Sequence, residues 1–280
     1  MAKYSLVHLT NAVCNPVDML YVAAEAGFDC VSYRVIPTRT GETAPEAVSV
    51  SKVGQTVFDL VKDREMVAKI KHAAQETGVM LNDTENARIF DGGDVKNYEA
   101  DLEVVAELGI KHILTNIWSH HRSFYTDQYG CLCDLAKQFD ISVNLEFVTW
   151  AGVRDLKDAA DLLRAVNCDN MGIVVDTLHF YRSRVDFSEL DKLPQQWFRY
   201  THLCDCPAEI PSNTDELIRT GLEERLFPGE GCFDFKLLMS KIPNAVRGIE
   251  VPNKLRLADM GYAKYATAAL RATKNYFGEF

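Results

Sequence analysis

The stretch GIVVDTLHFYR, Gly172–Arg182, joins an apolar run to an aspartate and then, three places on, to a histidine. Ile173, Val174 and Val175, with Met171 ahead of them, form the short β-rich apolar run of a strand covered on both faces, as in a parallel sheet. Asp176 therefore marks the end of that strand. Residues three apart on an extended strand face opposite sides, so Asp176 and His179 share a site only if the strand stops at Asp176. The expectation is that Asp176 turns inward and that Thr177-Leu178 begin a loop carrying His179 over the same cavity.

Outward from this stretch the same pattern repeats about eight times. Strand-like runs start at Tyr4 (YSLVHLT), Cys30 (CVSYRVI), Val79 (VMLNDTE), His112 (HILTNIW), Ile141 (ISVNLEFV), Met171 (MGIVVD), Phe198 (FRYTHLCD) and Val246 (VRGIEV). Helix-period segments lie between them, among them PVDMLYVAAEAGF, DREMVAKIKHAAQETG, YEADLEVVAELG, LKDAADLLRAV and the carboxy-terminal YAKYATAALRATKNYF. Gly27, Gly78 and Gly109 stand where helices end before the next strand, the expected C-cap place. Alternating strands and helices imply an α/β fold with parallel pairing through right-handed crossovers. Eight such units in 280 residues match a single (β/α)8 TIM barrel filling residues 1–280, with its active site at the carboxyl ends of the strands. The competing doubly wound sheet lacks its G-x-G-x-x-G after the first strand, where HLTNAVCNP stands instead.

Composition narrows the function classes. With 40 acidic against 30 basic residues the net charge is −10, which argues against a nucleic-acid or anionic membrane partner. The amino terminus shows no signal peptide and no apolar run reaches the ~20 residues of a membrane span, so a cytoplasmic protein is expected. The eight cysteines then read as reduced thiols; the pairs Cys131/Cys133 and Cys204/Cys206 do not match structural zinc spacing.

The strand ends carry the chemistry. Glu146 stands near the end of the fifth run after apolar Leu145, Asp176 closes the sixth, His202 lies in the seventh and Glu250 in the eighth. On a barrel these side chains converge, and three carboxylates with an imidazole in one place stay uncompensated unless a cation joins them. That donor set suits a hard-to-borderline divalent ion, Mn²⁺ or Mg²⁺ rather than a thiolate-loving metal, with Co²⁺ or Zn²⁺ as further choices. Weaker candidates at other strand ends are Arg34, Asn82, Glu85, Asn116, Trp118, His120, His121 and Trp150. A tryptophan at the mouth could stack on the apolar face of a sugar. The polar segment CPAEIPSNTDELIRTGLEER, 206–225, is long enough to form a lid.

Taken together, NLEFV, VVDTLHFY, YTHLCD, ERLFPGEGCFDF and GIEVP resemble the xylose isomerase-like TIM barrel superfamily, in its sugar phosphate isomerase/epimerase branch of ketose 3-epimerases and inosose dehydratases. The resemblance spans essentially the whole chain. It implies Glu146, Asp176, His202 and Glu250 as ligands of one metal, His179 and Arg225 as contacts to substrate oxygens, and Asp205 as a group behind the ligands or facing substrate. It further implies proton transfer next to a carbonyl through an enediolate, with Glu146 and Glu250 as the catalytic pair. The substrate would be a small sugar or polyol-derived ketone, and a homo-oligomer is open. The alternative is a lyase on the same scaffold: an inosose- or dehydroshikimate-type dehydratase, or a C-glycoside-cleaving subunit. An endonuclease IV-like nuclease would need more metal ligands and a basic face; a non-catalytic barrel would have little use for all four ligand-type residues.

Overall fold

Each of the eight strand-like runs forms a strand in the computed structural model, which describes residues 2–37 and 58–279. They are β1 (Tyr4–Val7), β2 (Cys30–Arg34), β3 (Met80–Glu85), β4 (His112–Thr115), β5 (Ser142–Glu146), β6 (Met171–Asp176), β7 (Tyr200–Leu203) and β8 (Val246–Ile249). Neighbours pair in parallel and in chain order, and β8 closes on β1 with Ser5 opposite Gly248. The result is the closed (β/α)8 barrel that the alternation predicts.

Described helices are α1 (Pro16–Ala26), α2 (Arg64–Thr77), α3 (Glu99–Glu107), α4 (Arg122–Lys137), α5 (Leu156–Val166), α6 (Thr177–Arg182), α7 (Thr214–Glu223), α8 (Phe235–Lys241), α9 (Lys254–Met260) and α10 (Tyr262–Phe277). Local chemistry sets their ends. Asn15 caps α1 by accepting from the N–H groups of Val17 and Asp18, Pro16 opens it, and Gly27 closes it at φ +88°. On α5, Leu156, Ala159, Ala160, Leu162 and Leu163 form one buried stripe against the sheet, behind an Asp155 cap. None of the described helices is long and apolar enough to cross a membrane.

Inside the barrel, Leu114, Val174 and Tyr200 make a small apolar layer with Val246 packed on it, apart from the main core between sheet and helices. Side chains two places further along a strand point the same way. The next layer toward the carboxyl ends is therefore Asn116, Asp176, His202 and Gly248. A Cβ at Gly248 would lie 2.4 Å from the Thr201 carbonyl and 3.3 Å from the His202 ring. Glycine there leaves the imidazole its place.

Two expectations need correcting. Thr177–Arg182 is not a loop: α6 starts directly after β6. The 206–225 segment carries a helix, α7, that its composition did not suggest.

Candidate metal centre and active site

Glu146, Asp176 and His202 come from the ends of β5, β6 and β7, and Glu250 follows the last residue of β8. All four are buried, and one ligand-capable atom from each lies within 4.8 Å of the others. His202 Nδ1 stands 3.3 Å from Glu146 Oε1 and 3.4 Å from Glu250 Oε1. These contacts lack hydrogen-bond alignment: among the described residues His202 Nδ1, His202 Nε2 and Glu146 Oε1 have no hydrogen-bond partner. Buried polar atoms are almost always satisfied. Lone pairs that converge on one another without bonding form a group that could hold a cation.

The remaining carboxylate oxygens are held. Asn116 Nδ2 donates to Glu146 Oε2 at 2.9 Å. Arg225 Nη1 donates to Asp176 Oδ2 at 2.6 Å and to Glu250 Oε2 at 2.9 Å. Asp176 Oδ1 caps α6, accepting from the N–H groups of Leu178 and His179 at 2.7 and 3.2 Å. The strand end and the helix start are thus one residue, whose side chain satisfies the donors that a helix N-terminus leaves open.

Charge points the same way. Three carboxylates and the Arg225 guanidinium leave a double negative charge around a neutral imidazole, the complement of one divalent ion. Burial opposes charge on His202, yet Glu250 and Glu146 outweigh it and push the imidazole well above its ordinary range. Burial lifts Glu250 to about 7, a rise that His202 and Arg225 only partly offset. Burial also works against the Asp176 carboxylate, but Arg225 holds it well below the usual carboxylate range. A proton on His202 is the cluster's internal substitute for a cation, and metal binding releases such protons. Three oxygen donors and one imidazole nitrogen fit a divalent ion of the Mn²⁺, Mg²⁺ or Zn²⁺ kind. Among the described residues this is the one group of histidine, cysteine and acidic side chains so placed, and neither C-x-C pair belongs to it.

A family model for the xylose isomerase-like TIM barrel matches residues 20–253. The chain belongs to that family. Similar curated proteins are the inosose isomerases of Bacillus velezensis, 23% identical over 160 residues, and of Halalkalibacterium halodurans, 28% identical over 113 residues. The first match takes in 53% of this chain and 54% of the relative, the second 39% and 37%. The chain thus spans about half the length, or less, of the curated relatives it matches. Among solved structures, an IolI protein with a bound zinc atom superposes with a TM-score of 0.76 at 18% identity, covering 99% of both chains. A D-allulose 3-epimerase from Methylomonas sp. in complex with D-allulose gives 0.67 at 15% identity, covering 98% of this chain and 97% of that one. A probable 3-DHS dehydratase, AsbF, from Bacillus anthracis gives 0.70 at 15% identity, covering 98% and 99%.

In this xylose isomerase-like barrel the other expected site residues divide. His179 is buried; its Nδ1 lies 3.2 Å from Thr149 Oγ1 and its ring meets Trp150 edge-on at 4.8 Å. Burial holds His179 down to about 4. Trp150 packs against α7, where a Cβ on Gly221 would come within 2.7 Å of the indole. Glu85 is buried, paired with Arg34 through Oε2 at 2.5 Å, while its Oε1 has no hydrogen-bond partner among the described residues. Trp118 is half-buried with an indole N–H that also lacks one.

Three expected contacts fall elsewhere. Arg225, expected at substrate oxygens, is already committed to Asp176 and Glu250. Asp205, expected to face substrate or back the ligands, accepts four backbone N–H groups, those of Cys206, Gly229, Gly231 and Phe233. Its lone pairs are consumed in folding the FPGEG turn. His120 is exposed ahead of α4, beside His121, which contacts Asp91 at 3.7 Å; the structure does not bring it to the cluster.

Asp83, His8 and Asn11 escaped the sequence reading. Asp83 is buried near His202 and lifted to about 6 by burial; its spacing of two from Glu85 on β3 was the available signal. A hollow of about 550 Å³ lined by Lys111, His112, Lys137, Asp140 and Asp169 lies at the amino-terminal rim instead. Its charges are paired, Lys111 with Asp140 and Lys137 with Asp169, and of its lining residues Asn170 alone has a buried side-chain atom, Oδ1, without a hydrogen-bond partner among the described residues.

Proposed function

We propose that the protein is a divalent-metal-dependent isomerase or epimerase that moves a proton next to the carbonyl of a sugar or polyol-derived ketone. The observation that carries this reading is the buried cluster of Glu146, Asp176, His202 and Glu250, which would hold the ion, with Mn²⁺ our choice. The inosose isomerase relatives, the zinc in IolI and the D-allulose in the epimerase support the same chemistry on this scaffold. Such an ion, when bound, supplies a Lewis acid that lowers the pKa of a C–H beside a carbonyl and steadies the charge that develops.

The chain's own residues do the rest. Glu146 and Glu250 enter from β5 and β8, on different sides of the barrel, as a pair that can take a proton from one face and return it on the other. Asn116 fixes one oxygen of Glu146, and Arg225 one oxygen of Glu250, so each carboxylate presents its other oxygen inward beside His202. His179 and Trp150 offer an imidazole edge and an indole face to the substrate, with Glu85 and Trp118 across the mouth. α7 covers that side, tied by Arg182 to the Leu217 carbonyl and the Thr220 hydroxyl; shielding of this kind keeps water from the reaction. Dehydration begins with the same proton removal, and the AsbF fold match keeps a lyase as the second reading.

The protein should retain about one divalent ion per chain. In deuterated water it should exchange a carbon-bound proton of an inosose or ketohexose, followed by NMR. Glu146→Gln and Glu250→Gln should each lower that exchange by at least a hundredfold with the fold intact. Ion-free protein without affinity for metal, or variants that exchange as fast as the parent, would refute the reading.

A further inference from the structure

The four ligand residues come from β5–β8, yet the β1–β4 half of the mouth is also polar. His8, the first residue after β1, is 2% exposed, and Asn11, at the end of the same 3-10 turn, is 0% exposed. Neither His8 Nε2 nor either polar atom of the Asn11 amide has a hydrogen-bond partner among the described residues, and the same holds for Glu85 Oε1 and Asn86 Oδ1. A buried polar group left unsatisfied is destabilising, and such groups are few in native proteins. Several at the carboxyl ends of β1 and β3 therefore call for an occupant.

His8, Glu85 and Asn86 connect to the ligand cluster. His8 interacts with Arg34 and Glu85, Glu85 with His202, and Arg34 with Glu250 and Glu146. The Asn86 amide donates to Asn116, which in turn holds Glu146. The character of this wall is specific. Glu85 Oε1, Asn86 Oδ1 and Asn11 Oδ1 are acceptors, Asn11 Nδ2 a donor, and the neighbouring guanidinium groups of Arg34 and Arg225 are already paired with carboxylates. Such a surface suits hydroxyl groups, which donate and accept, and among the described residues the Arg34 and Arg225 charges beside it are already balanced by carboxylates.

We propose that His8, Asn11 and Asn86, with Glu85 Oε1, form a hydroxyl-reading wall that binds the end of an uncharged polyol remote from the reacting carbon. The assignment rests on the function proposed above and adds the substrate class. Burial holds the His8 imidazole down to about 4, so near neutral pH it is uncharged and able to accept or donate.

Calorimetry of the full chain with Mn²⁺ present tests the wall, using myo-inositol and its monophosphate as probes. Myo-inositol should bind saturably and the monophosphate at least tenfold more weakly. Asn11→Leu should weaken myo-inositol binding tenfold or more while raising the thermal midpoint of the ligand-free protein by about 2–4 °C, since it removes an unsatisfied amide. His8→Phe should weaken binding comparably, and His8→Gln, which keeps polar atoms, should recover most of it. A lowered midpoint for Asn11→Leu, unchanged binding in Asn11→Leu and His8→Phe, no saturable binding by the parent protein, or a monophosphate that binds as well as the polyol would each overturn the proposal. Proton exchange by the parent protein tests the reaction separately. Glu146→Gln that no longer exchanges but still binds myo-inositol would leave the wall standing.

Discussion

Arg225 concentrates more of the site's electrostatics than any ligand residue does. One guanidinium nitrogen reaches Asp176 and Glu250, and Nε donates to the Gly221 carbonyl at 2.7 Å, so the charge is locked in place on both sides. Arg225→Met would strand two buried carboxylates, and breaking a buried ion pair in this way costs about 3–5 kcal/mol. It would also deepen the negative charge at the cluster. Saturating Mn²⁺ should therefore stabilise Arg225→Met more than the parent protein, compared by urea unfolding with and without chelator. Equal metal-induced gains in the two proteins would show that Arg225 and the ion do not share one field. The four residues of the cluster were legible in the sequence because each stands at or near the carboxyl end of its own strand-like run, where a barrel brings such side chains together. The parts played by Asn116, His8 and Asn11 were not, because they depend on what surrounds the side chain in space: a carboxylate to hold in one case, the lack of any partner in the others.

At the scale of elements, strands and long helices read clearly because short β-rich apolar runs alternate with period-3.6 patterns that persist for several turns. α6 did not: six residues are too few for a stripe, and its start rests on the Asp176 cap, which looks in sequence like a strand's end. α7 was hidden for a different reason. It buries only Gly221, so TDELIRTGLE shows no continuous apolar face to the core. Asp205 is a comparable case, a motif residue whose part is to fold a turn. Its four N–H partners lie in 206–233, and a Cβ on Gly231 would sit 2.4 Å from its carboxylate. Asp205→Asn turns one acceptor into a donor against those N–H groups and should cost about 1–3 kcal/mol of stability with the ion content unchanged. Denaturation paired with elemental analysis decides the matter; loss of the ion with stability unaltered would return Asp205 to the metal's surroundings.

For the whole molecule, two titratable groups on neighbouring strands, His112 of β4 and Asp83 of β3, answer to pH in opposite ways. His112, at the amino-terminal rim, accepts or donates at Ser142 Oγ and stacks on Tyr200; burial, with Arg199 adding to it, holds the ring down to about 4. The folded protein keeps it neutral while the unfolded chain takes up a proton near pH 6.5. Its contribution is therefore complete above about 6.5 and is lost as pH falls through about 4, on the order of 2–3 kcal/mol. Asp83 acts in the opposite sense, since its raised value of about 6 stabilises at low pH and is lost as pH rises through 6. The difference between parent and His112→Gln isolates the histidine: unfolding free energies between pH 4 and 7.5 should draw together as the medium is acidified. A difference independent of pH would mean that His112 is not kept neutral.

The double duty of Asp176 has a mechanical side. One oxygen of its carboxylate belongs to the cation cluster's ion pair with Arg225, and the other holds the first turn of α6. At the far end of that six-residue rod, Arg182 grips α7, the cover of the mouth. The acidic cluster and α7 are thus fastened to opposite ends of one six-residue helix, a single short strut between the barrel interior and its mouth.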